Sequence, residues 1–171
     1  MFQSRASALF GLALTFSFQP VFVPVSTQSE IRFPVKTKQN LDCRSQRMLI
    51  LNAIQGLLYP SDSDYPFEYF YNSQTSSMPS PQQFNQLIGQ QGQQVTQVNF
   101  DEFFNQLIIN QRSSGAEAGM IRRYESLRQV FKNQFTNLTV YRVGEIQVQV
   151  YITGVNLSCG MAGLKTMSIE T

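Results

Sequence analysis

The 171-residue sequence contains no histidine. That removes the commonest general base and a common metal ligand. Ser-His-Asp and Cys-His catalysis, HExxH zinc sites and any nuclease built on a histidine base are excluded with it. Cysteine is scarce. Cys43 and Cys159 cannot form a zinc site by themselves,. They allow at most one intramolecular disulfide, and the sequence leaves open whether they meet. Charge is sparse too: Asp, Glu, Lys and Arg make up 14% of the chain, against the usual share of about 25%. No Lys or Arg occurs from Met48 through Gln111, yet Asp62, Asp64, Glu68, Asp101 and Glu102 all lie there. A base-free acidic stretch argues against a phosphate-gripping surface and suits a basic partner. The glycines of residues 154–163 match neither GxGxxG nor a Walker pattern, so they read as turns,.

What is present supports a folded domain. Hydrophobic residues make up 42% and aromatics 12%, enough for a core. The length suits one domain with an appendage, since a domain takes about 100–200 residues. Glutamine is abundant: 21 residues, eight of them between Gln82 and Gln97. Helical periodicity inside that stretch makes it a polar helix surface rather than a prion-like tract. The net charge of +2 hides an asymmetry. Residues 1–47 carry six bases and two acids, whereas residues 48–171 carry seven bases and nine acids.

Residues 1–29 resemble a signal peptide or a leader outside the domain. Arg5 gives a positive start, and Ala6 to Phe18 is apolar apart from Ser7, Thr15 and Ser17,. No A-x-A cleavage site is present, and the run is short and proline-interrupted for a membrane span,. A cleaved signal would place the product in the periplasm or outside the cell. Residues 30–43 read as a linker, and 44–171 as the domain.

Within the domain, Leu51, Ile54, Leu57 and Leu58 recur at helix spacing, which predicts a helix from Arg44 to Tyr59. Phe67 to Tyr71 reads as a strand. Ser80-Pro81 opens a helix with Phe84, Leu87 and Ile88 inward. Val95 to Val98 is a weak strand, and Asn99 caps a helix bearing Phe103, Phe104, Leu107 and Ile108. Glu117 to Phe135 is the clearest helix, with a stripe of Ile121, Tyr124, Leu127, Phe131 and Phe135. Arg122, Arg123, Arg128 and Lys132 lie off that stripe and read as a solvated face. Leu138–Val143, the alternating Ile146–Thr153 and Leu164–Ile169 read as strands, with Gly154 to Gly163 as a loop. Helices first and strands last predict an α+β fold, helices covering a mostly antiparallel sheet.

Few groups carry chemistry. Asp62, Asp64 and Glu68 form an acidic loop rich in turn formers. Its D-x-D spacing lacks the Gly and closing Glu of an EF-hand. Asn137-Leu138-Thr139 and Asn156-Leu157-Ser158 fit the N-glycosylation pattern. Thr171 sets a terminal carboxylate beside a hydroxyl, both hard donors suited to Mg²⁺ or Ca²⁺. An Asp62/Asp64 pair without a cleft pattern is a weak basis for a glycosidase, so the chain does not read as an enzyme.

Several segments together resemble the nuclease A inhibitor family. They are Gly56-Leu57-Leu58-Tyr59, then Ser61-Asp62-Ser63-Asp64-Tyr65-Pro66-Phe67-Glu68, then Val140-Tyr141-Arg142-Val143-Gly144-Glu145 with Val150-Tyr151. Ala162-Gly163-Leu164, Thr166 and the closing Glu170-Thr171 complete the set, and the likeness covers about residues 44–171. The resemblance implies an α/β/α sandwich and a monomer that inhibits a sugar-non-specific, Mg²⁺-dependent endonuclease. It implies no cofactor of its own and no direct nucleic-acid contact. Partner binding would fall to Asp62, Asp64, Glu68, Glu170 and Thr171. Asp62 would pair with an active-site arginine, although the family position is Glu, one methylene longer. Thr171 would bridge to the nuclease's Mg²⁺. The alternative is an exported interaction or envelope protein that shares the fold without inhibiting.

Overall fold

Asp42 opens the first helix by accepting a hydrogen bond from the Ser45 amide at 2.8 Å, satisfying one of the amides that a helix start leaves bare. The structure, a computed structural model, describes residues 41–170. The leader, most of the linker and Thr171 therefore lie outside the described residues.

Helix α1 spans Cys43–Ile54, shorter than the Arg44–Tyr59 expected. Gly56 takes a φ of +66° and turns the chain, which glycine does without steric cost. Leu57 is buried beyond the helix, and Leu58 is half-exposed in strand β1, Leu58–Tyr59. The inward stripe of α1 is thus Gln46, Ile50 and Ile54. Strand β1 pairs antiparallel with β2, Tyr65–Pro66, forming a two-stranded hairpin around residues 60–64. Strand β3, Glu68–Asn72, follows.

Ser80 and Gln83 form a reciprocal capping box at the start of α2, Pro81–Leu87, the arrangement expected of Ser followed by Pro and Gln. Strand β4, Val95–Asn99, runs straight into α3, Phe100–Ser113, where Asn99 Oδ1 accepts from the amides of Asp101 and Glu102. Helix α4 spans Ala118–Gln134. Strands β5, Thr136–Val143, β6, Gln147–Asn156, and β7, Gly160–Ile169, complete the domain.

The main sheet has the order β3-β7-β6-β5-β4, with every pair antiparallel. Helices α1, α3 and α4 pack on one face through Phe104, Leu127 and Phe131 over Val140, Val150, Ile152 and Leu164. Helix α2 covers the other face. Its Phe84 stacks on Tyr141 at 3.9 Å and meets Tyr151 edge-on at 5.1 Å. The fold is α+β, an antiparallel sheet between two helical layers, as expected.

Two strand expectations need correction. Residues 154–163 are not a loop. Gly154 pairs with Ala162, Gly163 pairs with Thr153, and only residues 157–159 turn. Gly154 and Gly163 are there for close packing, whereas Gly160 leaves the turn at a φ of +83°. A Cβ on Gly154 would overlap Phe135, and one on Gly163 would overlap the Ile152 carbonyl. Ile146 is also outside β6, 68% exposed on the β5–β6 turn. The alternation ends at Tyr151, from which all residues to Asn156 are buried.

Cys43 and Cys159 are joined in a disulfide with a Cα–Cα distance of 5.4 Å. It ties the first residue of α1 to the β6–β7 turn. Of the two glycosylation triplets, Asn137 is exposed at a β-bulge, whereas Asn156 is buried and donates to the Gln134 carbonyl.

Candidate functional site

The acidic loop is carried by the β1–β2 hairpin, and the hairpin is pinned from beneath. Tyr124 of α4 donates its hydroxyl to the Leu58 carbonyl at 2.6 Å. Arg123 donates to the carbonyls of Gln55 and Gly56. Tyr59 lies parallel to Phe103 of α3 at 6.0 Å and meets Phe67 edge-on. An isolated two-stranded hairpin is marginal in water. These contacts give it a fixed seat, from which Asp62 and Asp64 project exposed to solvent.

Electrostatics agree with that placement. Burial and then the charge of Asp64 push the Tyr124 phenol up to about 12. Burial raises Tyr59 as well, and the charge of Arg142 works against the rise.

Glu170 sits one residue beyond β7. Its amide donates to the Ile146 carbonyl at 2.9 Å. Its carboxylate accepts from Arg142 Nη2 of β5. Glu170 and Ser61 line one cleft of about 590 Å³ between the hairpin loop and α3. The fold thus draws together two segments 109 positions apart, the loop bearing Asp62 and the residue preceding Thr171. Thr171 itself lies outside the described residues.

Glu68 stands elsewhere. It is exposed at the start of β3, opposite Lys165 of β7, in a separate groove with Tyr65 and Pro66. Its charge falls on Tyr151, raised first by burial, so it belongs to the sheet face that α2 covers. Sequence reasoning overlooked the roles of Arg142 and Tyr124. Arg142 is a cation set between apolar neighbours of a strand, and that interruption was its one signal. Tyr124 read simply as part of a buried stripe.

The bases of α4 are largely engaged within the chain. Arg128 Nε and Lys132 Nζ both reach Asp101 of α3, at 2.9 Å and 2.6 Å. These two cations, Lys132 foremost, hold the Asp101 carboxyl below its usual range. Among the described residues, no group of three or more Asp, Glu or Cys is placed to hold a metal ion. Among the same residues, no helix is long and apolar enough to cross a membrane.

A family model described as nuclease A inhibitor-like protein matches residues 47–171. The chain belongs to the nuclease A inhibitor-like family. No curated protein matches it significantly. The family match takes in the hairpin, the cleft and the whole sheet, and it begins inside α1. Cys43, one half of the disulfide, stands before its first matched residue.

Proposed function

We propose that this chain is a protein inhibitor of a sugar-non-specific, Mg²⁺-dependent endonuclease of the nuclease A type, and that it acts by occupying the nuclease's active site. The observation that carries the reading is the convergence of the Asp62 loop and the Glu170 end of β7 on one cleft. A nuclease site is electropositive and holds a metal because its substrate is a polyanion. Asp62, exposed at the tip of a seated hairpin, is presented to an active-site arginine. Glu170, anchored by Arg142 and Ile146, would aim Thr171 at the metal. The Mg²⁺ is the nuclease's own, and Thr171 would add only terminal oxygens, hard donors that Mg²⁺ accepts. Asp64 and Glu68 would add to the negative field that steers association.

A second reading is favoured by one observation, the disulfide, which persists in oxidising compartments,. It is an exported interaction or envelope protein that keeps the fold and does not inhibit.

Titration of purified residues 40–171 into such a nuclease, with DNA cleavage followed, separates the two. Stoichiometric loss of cleavage, abolished or sharply weakened when Thr171 is removed, supports the inhibitor and its metal bridge. Full cleavage at a large molar excess favours the second reading. Inhibition unchanged by removal of Thr171 keeps the inhibitor and discards the bridge.

A further inference from the structure

The cleft beside Glu170 holds a carboxylate that the inhibitor reading does not use. Glu102 lines it from the first turn of α3. Its backbone amide is taken by Asn99, but its side chain has no hydrogen-bond or ion-pair partner among the described residues. The other carboxylate of the cleft, on Glu170, is already neutralised by Arg142. Among the described residues the cleft therefore carries one uncompensated negative charge.

The walls match one kind of guest. Val98, Phe103 and Leu107 supply apolar surface, with Phe103 backed by the Tyr59 ring. Gln106 commits its amide nitrogen to Asn110 at 2.7 Å, and its amide oxygen has no partner among the described residues. A groove with an apolar floor, a carboxylate and an amide oxygen on its rim accommodates a long apolar stem ending in a cation. A metal ion is a poor match, since hard divalent cations gather several oxygen ligands and the described residues of this cleft offer a single free carboxylate.

We infer that this cleft receives one lysine or arginine side chain from the rim of the nuclease's active site, with the cation on Glu102 and the Gln106 oxygen. This rests on the inhibitor reading and deepens it. The site lies between the hairpin loop that carries Asp62 and Glu170, so a nuclease gripping both would pass over it. Arg142, the chain's own cation in the cleft lining, is committed to Glu170 and so does not compete for it.

The test is a set of inhibition constants on the full chain against a Mg²⁺-dependent nuclease of this type, at two salt concentrations. Glu102→Gln should weaken inhibition by about tenfold and Glu102→Lys by about a hundredfold or more, as loss and reversal of an interfacial charge do. The salt dependence should fall in both, because one steering charge is gone. Glu125→Gln, whose partner is Arg112 outside the cleft, should inhibit as the wild type does. Thermal midpoints are read alongside. If Glu102→Lys lowers its midpoint, Gln106→Arg at an exposed position of α3 decides, since it fills the cleft with the chain's own cation. Unchanged inhibition by a folded Glu102→Lys or Gln106→Arg chain overturns the site while leaving the inhibitor standing. A wild-type chain that does not inhibit overturns the inhibitor reading and the site with it.

Discussion

Arg142 of β5 reaches across β6 to hold the carboxylate of Glu170, one residue past the end of β7. The contact joins the strand that carries the cation to the segment that precedes Thr171. Both side chains also line the cleft beneath the Asp62 hairpin. The ion pair, with the Glu170 amide bonded to the Ile146 carbonyl, thereby holds one half of the candidate site in place.

Replacing Arg142 by methionine should therefore act on inhibition more than on folding. The pair is partly exposed, and such pairs contribute about 0–1 kcal/mol to stability,. Loss of the anchor should raise the inhibition constant about tenfold, since a misplaced polar contact costs on the order of 1–2 kcal/mol. Paired measurements of thermal midpoint and inhibition check this. A large fall in midpoint with unchanged inhibition would show the pair to be purely structural.

Asp62 tests the reach of the hairpin. It is exposed and has no hydrogen-bond or ion-pair partner among the described residues, so Asp62→Asn should leave the midpoint unchanged. Inhibition should weaken by about 2–5 kcal/mol if the carboxylate is buried against an arginine in the complex. Asp62→Glu restores the missing methylene and should tighten binding. Equal inhibition by all three chains would remove Asp62 from the interface.

The disulfide should matter for stability and not for the site. It closes a span of 116 residues between Cys43 and Cys159, and bridges over long spans contribute about 2–5 kcal/mol. Reduction, or Cys159→Ser, should lower the urea midpoint accordingly. Cys159 adjoins the start of β7, whereas Glu170 follows its end. The reduced protein that remains folded should therefore inhibit with an unchanged constant. A reduced chain that is folded but inactive would instead show that the redox state is transmitted along β7.

Tyr124 links α4 to the hairpin, and its titration gives the link a pH signature. Its folded pKa, about 12, lies above the ordinary value of 10.0. Between those values the native state holds a proton that the unfolded chain has lost, so stability is full below pH 10 and falls as pH rises toward 12. Tyr124→Phe should cost about 1 kcal/mol at neutral pH through the lost bond to Leu58. It should also show a shallower decline in alkali, measured by urea unfolding at pH 8 and pH 11. Parallel declines in the two chains would mean that Tyr124 does not contribute to the alkaline loss; Tyr141, also raised to about 12, stays in both.

Much of the fold is legible in the sequence. The caps at Ser80 and Asn99 and the stripe of α4 follow from local chemistry, because a cap needs only its own four residues and a stripe needs only its period. Legibility fails where a neighbour decides. Leu58 keeps helical spacing with Ile54, but Gly56 turns the chain and the Tyr124 hydroxyl captures the Leu58 carbonyl in a strand. Gly154 and Gly163 resemble loop glycines because what they accommodate, Phe135 and the Ile152 carbonyl, is brought to them by other strands.

The site divides the same way. By itself the sequence determined the absence of histidine chemistry, the acidic loop and the family likeness, because residue type and local order suffice for each. The tertiary structure alone decided that Ser61, beside Asp62, shares a cleft with Glu170, that Glu68 does not, that Glu102 stands in that cleft without a partner among the described residues and that Cys43 meets Cys159. Each of those depends on the antiparallel register of the main sheet and on the seating of the helices against it. Contacts between residues so far apart in the chain form only when the core closes, and no local pattern records them.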